Sequence, residues 1–405
     1  MSYLVGIVGL LLLVLVHEAG HFLVARAVGM KPTKFYLGFP PAVLRRVRNG
    51  IEYGIGAIPL GGYVKIPGMF RPAERDAQRY FGPVVAEDPE LAPLVDDIRN
   101  TVGRADEAAT AEALDALERR LAGVPSTPVL RLAHNGIEEL REGSSQAAYW
   151  RQATWKRVVV IAAGPFANLL VAVVLLTAVN ILGVATSYSM TVGSVLAGSP
   201  AAKAGLLQGD SLVRLGSTTV RDPETASRII QRTKGRGVLV VVERGGQLLT
   251  LGTIRPEKIQ GAYRLGLRWS VNYRKDGAPR AFTRAWQQTW EVTHQIATGL
   301  PKLVHPEQRK QVSSVVGIVH VSGEALRADY RDYLGIVALI SISLGILNLL
   351  PFLPLDGGHI LVALVERVRR RRLRREVVER FSFVGFALVG LLMYIGLTND
   401  VHRYF

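Results

Sequence analysis

The sequence predicts a polytopic α-helical membrane protein with four transmembrane helices. The chain has 405 residues, of which 49% are hydrophobic and 20% charged, and its mean hydropathy of +0.22 is high for a soluble protein. Four apolar stretches approach the roughly 20 residues that a helix needs to cross a bilayer. These stretches are residues 3–29, 157–183, 333–353 and 381–397.

The basic residues predict the orientation of these spans. Lys and Arg outnumber Asp and Glu by 49 to 33. They crowd the segment after the first span and the segment Arg367–Arg380 between the third and fourth, whereas residues 186–202 carry no charge. Cytoplasmic loops of membrane proteins hold the excess of Lys and Arg, so we expect both termini and the segment after the second span to be extracytoplasmic. We expect the protein to lie in the inner or plasma membrane. The Arg-rich segment is interpreted as contacting anionic lipid, not nucleic acid.

Two segments between the spans differ from the rest. Residues 71–148 are alanine-rich and net acidic, which favours a small helical insert in the cytoplasm. Its chemistry is unassigned, and it either docks a cytoplasmic partner or covers the membrane face. Residues 187–273 instead show short β-branched runs separated by glycines, which is typical of a compact sheet domain. The runs are Gly237–Glu243, Leu248–Ile254 and Tyr263–Val271.

A five-residue motif in the first apolar stretch carries the chemistry. The chain has no cysteine, so a metal site must use His and carboxylate ligands. His17-Glu18-Ala19-Gly20-His21 places two imidazoles one helical turn apart on one face, where they can grip a zinc ion while Glu18 serves as general base. Two histidines that merely pack in a bundle are the alternative, but unpaired ionisable groups are costly in an apolar run. The motif therefore predicts a metallopeptidase centre inside the membrane.

A catalytic zinc ion usually takes three protein ligands, so a third donor is needed. Asp356 is the leading candidate, within the Pro- and Gly-rich stretch 348–359 that interrupts the end of the third span. Irregular backbone survives at membrane depth only where it is buried in protein or lines a wet cavity. A helix or turn cap is the alternative interpretation of Asp356. His359 is either another ligand or, as we prefer, a residue that supports the site or contacts lipid.

Four motifs together resemble the site-2 protease family of zinc intramembrane proteases, in the bacterial regulator-of-sigma-E branch with a single PDZ domain. They are the H-E-x-x-H motif, Gly164-Pro-Phe-Ala-Asn168 in the second span, Asn348-Leu-Leu-Pro-Phe-Leu-Pro-Leu-Asp356-Gly-Gly-His359, and the stretch Gly61–Met69. The resemblance covers all four spans and the segment between the second and third. It departs at residues 71–148, which are longer than expected, and at residues 314–318, where the family shows Gly-Pro-Val-Gly-Ile.

The resemblance implies roles for individual residues. His17, His21 and Asp356 would be the zinc ligands, and Glu18 would be the catalytic base. The substrate would be held as an extended strand in the cleft, and the residues implied for this are Asn348, Asn168, Gly61 and Gly62.

Gly61 and Gly62 belong to a stretch that the family folds as a membrane-dipping β-hairpin, here at about residues 50–69, which offers its edge to an unwound substrate. An ordinary cytoplasmic β-turn is the alternative interpretation of this stretch.

The segment after the second span resembles an extracytoplasmic PDZ domain, a mainly β fold. Its signature is a helix opened by Ser199-Pro200, a stop at Gly205 and a turn at Gly209-Asp210. It would capture a new C-terminus or act as a size filter, and a plain spacer is the alternative. The following stretch, 282–304, suits a helix lying at the membrane interface or one that packs on the PDZ domain.

These observations divide the chain into six parts. They are residues 1–70 with the first transmembrane helix and hairpin, the insert 71–148, the second transmembrane helix at 149–185, the PDZ domain at 186–275, amphipathic interfacial helices at 276–332, and the third and fourth transmembrane helices at 333–405.

The sequence thus predicts a zinc-dependent intramembrane endopeptidase that cleaves single-span membrane proteins in regulated intramembrane proteolysis. The resemblance suggests two substrates, signal-peptide remnants and anti-sigma factors already trimmed by a first protease, and hence a role in stress response. The alternative is a PDZ-bearing membrane scaffold or adaptor with an inactive metal site, which metal analysis of the protein separates from an enzyme.

Overall fold

The computed structural model describes residues 2–259, 261–301, 309, 313–373 and 375–404. The chain divides into two compact units, one made of Met1–Leu176 and Ala285–Phe405 and the other of Thr177–Arg284.

The first unit begins with helix α1 (Ser2–Ala27) and two long strands, β1 (Lys34–Arg48) and β2 (Ile51–Lys65). Asn49 and Gly50 join the strands, and both have the positive φ of a two-residue hairpin turn. The backbone curls so that residues 34–37 lie between residues 52–55 and 62–65. The chain therefore contains a hairpin, but it starts at Lys34, well before the predicted segment 50–69, because β1 supplies its first strand.

The acidic insert is a folded helical unit with a core of its own. Asp106 and Thr127 cap two of its helices by accepting hydrogen bonds from the backbone amides of Ala109 and Leu130. The helices are α2 (Glu74–Glu87), α3 (Ala92–Arg104), α4 (Glu107–Leu121) and α5 (Pro128–Ser144). Its core buries one apolar face of each helix, including Phe81, Ile98, Leu114, Leu117 and Leu140.

Helix α6 (Thr154–Leu182) leads into the second unit, which is built on a sheet with strand order β10-β3-β4-β6-β7 and β5 paired to β4. Its strands are β3 (Val184–Val195), β4 (Ser211–Leu215), β5 (Thr218–Thr219), β6 (Val238–Arg244), β7 (Gln247–Ile254), β8 (Glu257–Ile259), β9 (Ala262–Arg264) and β10 (Leu267–Arg274). Two helices, α7 (Pro200–Lys203) and α8 (Pro223–Arg232), pack with the sheet.

The predicted strand runs agree with β6 and β7, but the third run, Tyr263–Val271, is not continuous. Gly266 has a φ of +82°, which interrupts the extended backbone and divides the run between β9 and β10.

An ion pair between the buried Asp210 and the partly exposed Arg244 holds the turn before β4 in this second unit. Arg244 donates through Nε to Asp210 Oδ1 at 2.7 Å and through Nη2 to Asp210 Oδ2 at 2.8 Å. The Leu207 amide also donates to Asp210 Oδ2, at 2.8 Å. The Asp210 side chain is 1% exposed, and the Arg244 guanidinium holds the pKa of this carboxyl below its ordinary value of 3.8.

The chain continues with helix α9 (Ala278–Gly299), which belongs to the first unit from Ala285 onward. The other helices of the first unit are α10 (Val315–Ala328), α11 (Tyr330–Asn348), α12 (Asp356–Arg369) and α13 (Arg375–Tyr404). One face of α9 packs against α6 and α11 through Ala285, Val292 and Ile296. Its opposite face leaves Trp286 and Trp290 61% and 69% exposed. An interfacial helix presents such an exposed aromatic side to lipid. The interfacial position of α9 itself stays a prediction.

Helix α10 lies within the predicted interfacial segment 276–332, but it packs along α1, where Gly6 approaches Ser322. Its start is held by the buried Asp400 of α13, which accepts hydrogen bonds from the Ser314 and Gly317 amides at 2.6 and 3.0 Å. The carboxylate thereby satisfies amides at the helix N-terminus from another helix. This contact is how the chain fixes the stretch that departs from the family motif.

Four described helices, α1, α6, α11 and α13, are long and apolar enough to cross a membrane. They coincide with the four predicted spans, which confirms these spans by length and composition. Small residues let the helices approach closely, since Gly20 of α1 lies against the Ala163 carbonyl and Gly345 of α11 against the Pro165 carbonyl of α6.

The helical insert is tied to the hairpin on one side and to α13 on the other. Lys65 at the end of β2 pairs with Glu142 and Glu138 of α5 at 2.9 and 3.1 Å. Arg375 at the start of α13 lies 3.3 Å from the buried Asp76 and 3.4 Å from Glu139. The insert is therefore an internal brace between the end of β2 and the start of α13.

The Asp210 ion pair should make the stability of the sheet unit depend on pH. Because the folded-state pKa lies below 3.8, the stabilisation is complete above about pH 4 and is lost as the pH falls through the folded-state pKa. In thermal unfolding, Asp210→Asn should lower the midpoint at neutral pH and flatten its decline in acid. Glu224→Gln, on an exposed position of α8, is the control. Parallel acid profiles for Asp210→Asn and the unsubstituted protein would contradict the assignment.

Removing the arginine of the brace should loosen the insert. Arg375→Ala leaves the buried Asp76 without its cation, so amide hydrogen exchange in α2 and α5 should accelerate by about tenfold, the equivalent of about 1.4 kcal/mol. Arg369→Ala, at an exposed position of α12, is the matched control. Unchanged exchange in both helices after Arg375→Ala would show that the brace contributes nothing.

Candidate metal centre

Three predicted ligands, two from α1 and one from α12, converge on a single point. His17 Nε2 lies 3.3 Å from His21 Nε2, and Asp356 Oδ2 lies 3.1 and 3.4 Å from these two nitrogens. Both histidines are 7% exposed. Among the described residues, these three form the group of His and carboxylate side chains close enough to share a metal ion.

The spacing of the three atoms suits a tetrahedral ion. Zinc bonds of about 2.0–2.1 Å at tetrahedral angles place neighbouring ligand atoms about 3.3 Å apart. The three observed separations, 3.1, 3.3 and 3.4 Å, lie on either side of this value. The residues present therefore fit a zinc ion with one position left for water or substrate.

The second ring nitrogen of each histidine has a partner of its own. His21 Nδ1 lies 2.9 Å from the Val160 carbonyl, and His17 Nδ1 lies 3.1 Å from Asn168 Nδ2. A carbonyl oxygen only accepts, so the proton of neutral His21 is on Nδ1 and the lone pair of its Nε2 faces the centre. This Nε2 and the Asp356 carboxylate are both acceptors, and a cation between them satisfies both.

Gly164 on α6 leaves the space that an ion needs. A Cβ at this position would contact His21 Nε2 and would lie 2.9 Å from His17 Nε2. Any side chain here would enter the point on which the ligand atoms converge. The absence of a Cβ is thus a property of the site and a second indication that the residues present fit a metal ion.

Asp356 reaches the centre because two glycines follow it. Helix α11 ends at Asn348, and α12 begins at Asp356 after a short irregular connection. A Cβ on Gly357 would strike the Leu349 carbonyl, and one on Gly358 would lie 2.5 Å from the Leu353 nitrogen. The N-cap residue of α12 is Leu355, whose side chain makes no capping hydrogen bond. Asp356 is therefore not the helix cap that the alternative interpretation proposed.

Glu18 lies half-buried beside the hairpin. A Cβ on Gly62 of β2 would come within 2.8 Å of Glu18 Cγ and 2.7 Å of the Tyr36 carbonyl. The backbone of β2 therefore passes directly over the carboxylate predicted to act as the base. Gly61 has a φ of +109° and approaches the ring of Phe39, which identifies it as a residue that shapes the hairpin.

The remaining predicted site residues are placed as follows. Asn348 is half-buried and donates through Nδ2 to the Leu344 carbonyl of its own helix at 3.0 Å. Asn168 is fully buried against His17. Substrate contact by these two residues stays a prediction. His359 is outside the group of metal ligands and lines a cavity with Arg157 and Glu366.

Sequence reasoning missed three features around the centre. Gly164 appeared only as part of a family motif, although Gly164 and Asn168 are one helical turn apart and so face the same side of α6. Nothing in the sequence signals the Val160 carbonyl, because any residue type supplies one. Arg157 and Glu366 form a buried ion pair at 2.8 Å between α6 and α12, and their separation along the chain hid it.

Gly164→Ala should abolish metal binding, because the added methyl group would occupy the position on which the three ligand atoms converge. Metal analysis of the protein purified without chelator should find zinc reduced at least about tenfold, by the steric argument for a cavity that a methyl group fills. Gly390→Ala in α13, where a Cβ meets open space, is the matched control and should keep its zinc. A Gly164→Ala protein with full zinc occupancy would show that the ion lies elsewhere.

Comparison with known proteins agrees with this geometry. The sequence model of peptidase family M50 matches residues 5–392. The chain is 27% identical to metalloprotease MmpA of Caulobacter vibrioides, over 100% of this chain and 97% of the relative. It is 31% identical to the putative zinc metalloprotease NMA0084 of Neisseria meningitidis, over 99% of both. It is 26% identical to zinc metalloprotease RasP of Oceanobacillus iheyensis, over 97% of both. The chain belongs to peptidase family M50, the site-2 protease family, and is a multi-pass membrane metalloprotease.

Proposed function

We propose that this metalloprotease is a zinc-dependent endopeptidase that cleaves single-span membrane proteins within the bilayer. The observation that carries the proposal is the convergence of His17, His21 and Asp356 inside a group of apolar helices, with Glu18 at the same level of α1. Ionisable groups at this depth are functional by default, because burying them without a task costs several kcal/mol.

The chemistry follows from the donor set. When bound, zinc supplies a Lewis acid that activates water near neutral pH and polarises a carbonyl. His17, His21 and Asp356 would hold it, and the apolar helices would exclude bulk water. Glu18 would take the proton of the attacking water and deliver it to the departing amide nitrogen.

The hairpin is the proposed docking edge for the substrate. Residues 62–65 pair with residues 34–37 on one side and lie beside Glu18 through Gly62. An intact helix hides its amides, so a substrate must become extended before its carbonyl is accessible. Pairing with this segment would hold it extended next to the base. We assign Gly61 and Gly62 to this edge, and Asn348 at the end of α11 to the opposite side of the substrate.

The second unit is proposed to be an extracytoplasmic PDZ domain. It has a groove between α8 and the start of β10, lined by Ile230, Leu265, Leu267 and Trp269. The apolar groove would bind the C-terminal residue of a newly cut substrate. Alternatively, the domain would act as a size filter that excludes substrates with a bulky outer domain. The proposed substrates are trimmed anti-sigma factors and signal-peptide remnants. Both termini of the protease are proposed to lie outside the cytoplasm. Cleavage of anti-sigma factors would give the protease a role in the stress response.

A scaffold with an inactive metal site is the alternative from another class. The three ligand atoms and Glu18 are all in place, which argues against it. A scaffold would bind a single-span protein without ever cutting it, so turnover of a reconstituted substrate separates the two.

Glu18→Gln should keep zinc and lose proteolysis, because the amide cannot take a proton. In liposomes that contain a single-span substrate, the cleavage rate should fall by about 10²- to 10⁴-fold. Glu324→Gln, at a 64% exposed side chain of α10, is the control and should cleave normally. Retained turnover in Glu18→Gln would remove Glu18 from the mechanism.

A further inference from the structure

Asn168 is a buried amide held firmly against a metal-ligand histidine. Its exposure is 0%, and its Nδ2 lies 3.1 Å from His17 Nδ1. Ser341 of α11 donates to the backbone carbonyl of Asn168 at 2.8 Å, and a Cβ on Gly345 would lie 3.5 Å from Asn168 Cβ. Contacts with α11 therefore place the backbone and Cβ of Asn168, and the buried amide group faces His17 and not an open cleft.

One atom of this amide has no partner. Asn168 Oδ1 is buried without a hydrogen bond to any described residue. Such a group costs about 1–3 kcal/mol, and its persistence calls for a physical reason. A half-turn of the amide exchanges two atoms of nearly equal size, so the same space also admits the orientation in which Oδ1 faces His17 Nδ1 and Nδ2 takes the unpartnered position.

The direction of the amide decides whether His17 can bind a metal ion. A neutral imidazole carries one proton, on either Nδ1 or Nε2. If Asn168 Nδ2 donates to Nδ1, the proton lies on Nε2 and blocks coordination at the point where His21 and Asp356 converge. If Asn168 Oδ1 accepts from Nδ1–H, the Nε2 lone pair is available to the ion.

His17 and His21 differ in how this choice is made. The partner of His21 Nδ1 is the Val160 backbone carbonyl, which accepts whatever the side chain at position 160. The partner of His17 Nδ1 is a side chain that offers both a donor and an acceptor. The tautomer of His17 is therefore open to change by a single substitution, whereas that of His21 is not.

We infer that Asn168 is a positioning residue, which selects the metal-binding tautomer of His17 by accepting its Nδ1–H. The inference rests on the proposed function in taking zinc as the ion. This role differs from holding the substrate strand. It predicts that substitution of Asn168 lowers the affinity for zinc in the absence of any substrate.

The test measures zinc affinity of the full-length protein in detergent by competition with a chelator. Asn168→Leu keeps the branched shape of the side chain but offers His17 no acceptor, so its zinc dissociation constant should rise about 10- to 100-fold. Asn168→Asp offers an acceptor in either orientation and should restore the affinity to within about threefold. The absorption spectrum of the cobalt-substituted protein should change in Asn168→Leu and not in Asn168→Asp.

A matched control separates positioning from a loss of packing. Asn180→Leu removes another fully buried amide of α6 and should leave zinc affinity unchanged. If Asn168→Leu does not fold, Asn168→Ala provides the same comparison. The inference is overturned if zinc affinity stays within about twofold of the unsubstituted protein while KM rises, since that result assigns Asn168 to substrate. An unsubstituted protein that binds no zinc would instead contradict the proposed function.

Discussion

The structure depends on one electrostatic constraint, the convergence of two imidazole nitrogens and a carboxylate oxygen in an apolar interior. At separations of 3.1–3.4 Å these atoms are costly neighbours without a cation, because the surroundings offer little screening. A zinc ion bound there would convert the cost into a stabilising interaction and would supply the chemistry at the same time. The surrounding helices hold these three atoms close together and exclude bulk water from them.

Close helix packing is what brings the ligands together. Gly20 and Gly345 let α1 and α11 approach α6, while Gly164 leaves room for the ion. The glycines after Asp356 allow α12 to start against the end of α11, so a ligand distant in sequence meets the two histidines. The hairpin passes over Glu18, and the helical insert links its last strand to α13 through Lys65 and Arg375. The candidate metal centre is therefore connected, through the hairpin, to the helical insert and to the start of α13.

The sequence predicted what local patterns encode. The four spans followed from apolar length, and the H-E-x-x-H spacing placed His17, Glu18 and His21 on one turn of α1. Asp356 was already the leading candidate from its Pro- and Gly-rich stretch, and the family resemblance then implied it as a ligand. Its approach to the two histidines follows from long-range packing, because nothing local relates α12 to α1. The early start of the hairpin was missed although Asn49-Gly50 is a local signal for a two-residue turn. The position of α10 escaped prediction because it depends on long-range packing. The contact of Asn168 with His17 was also missed. The sequence alone does not tell whether an Asn binds substrate or supports a metal ligand, because its neighbours in the fold are not known.

Zinc K-edge X-ray absorption on the protein purified without chelator tests the central claim most directly. The account predicts about one zinc per chain, with scattering from two imidazoles and further oxygen ligands at about 2.0–2.2 Å, and loss of one imidazole shell in His21→Ala. A protein that holds no zinc, or a zinc spectrum that is the same in His21→Ala, would contradict it.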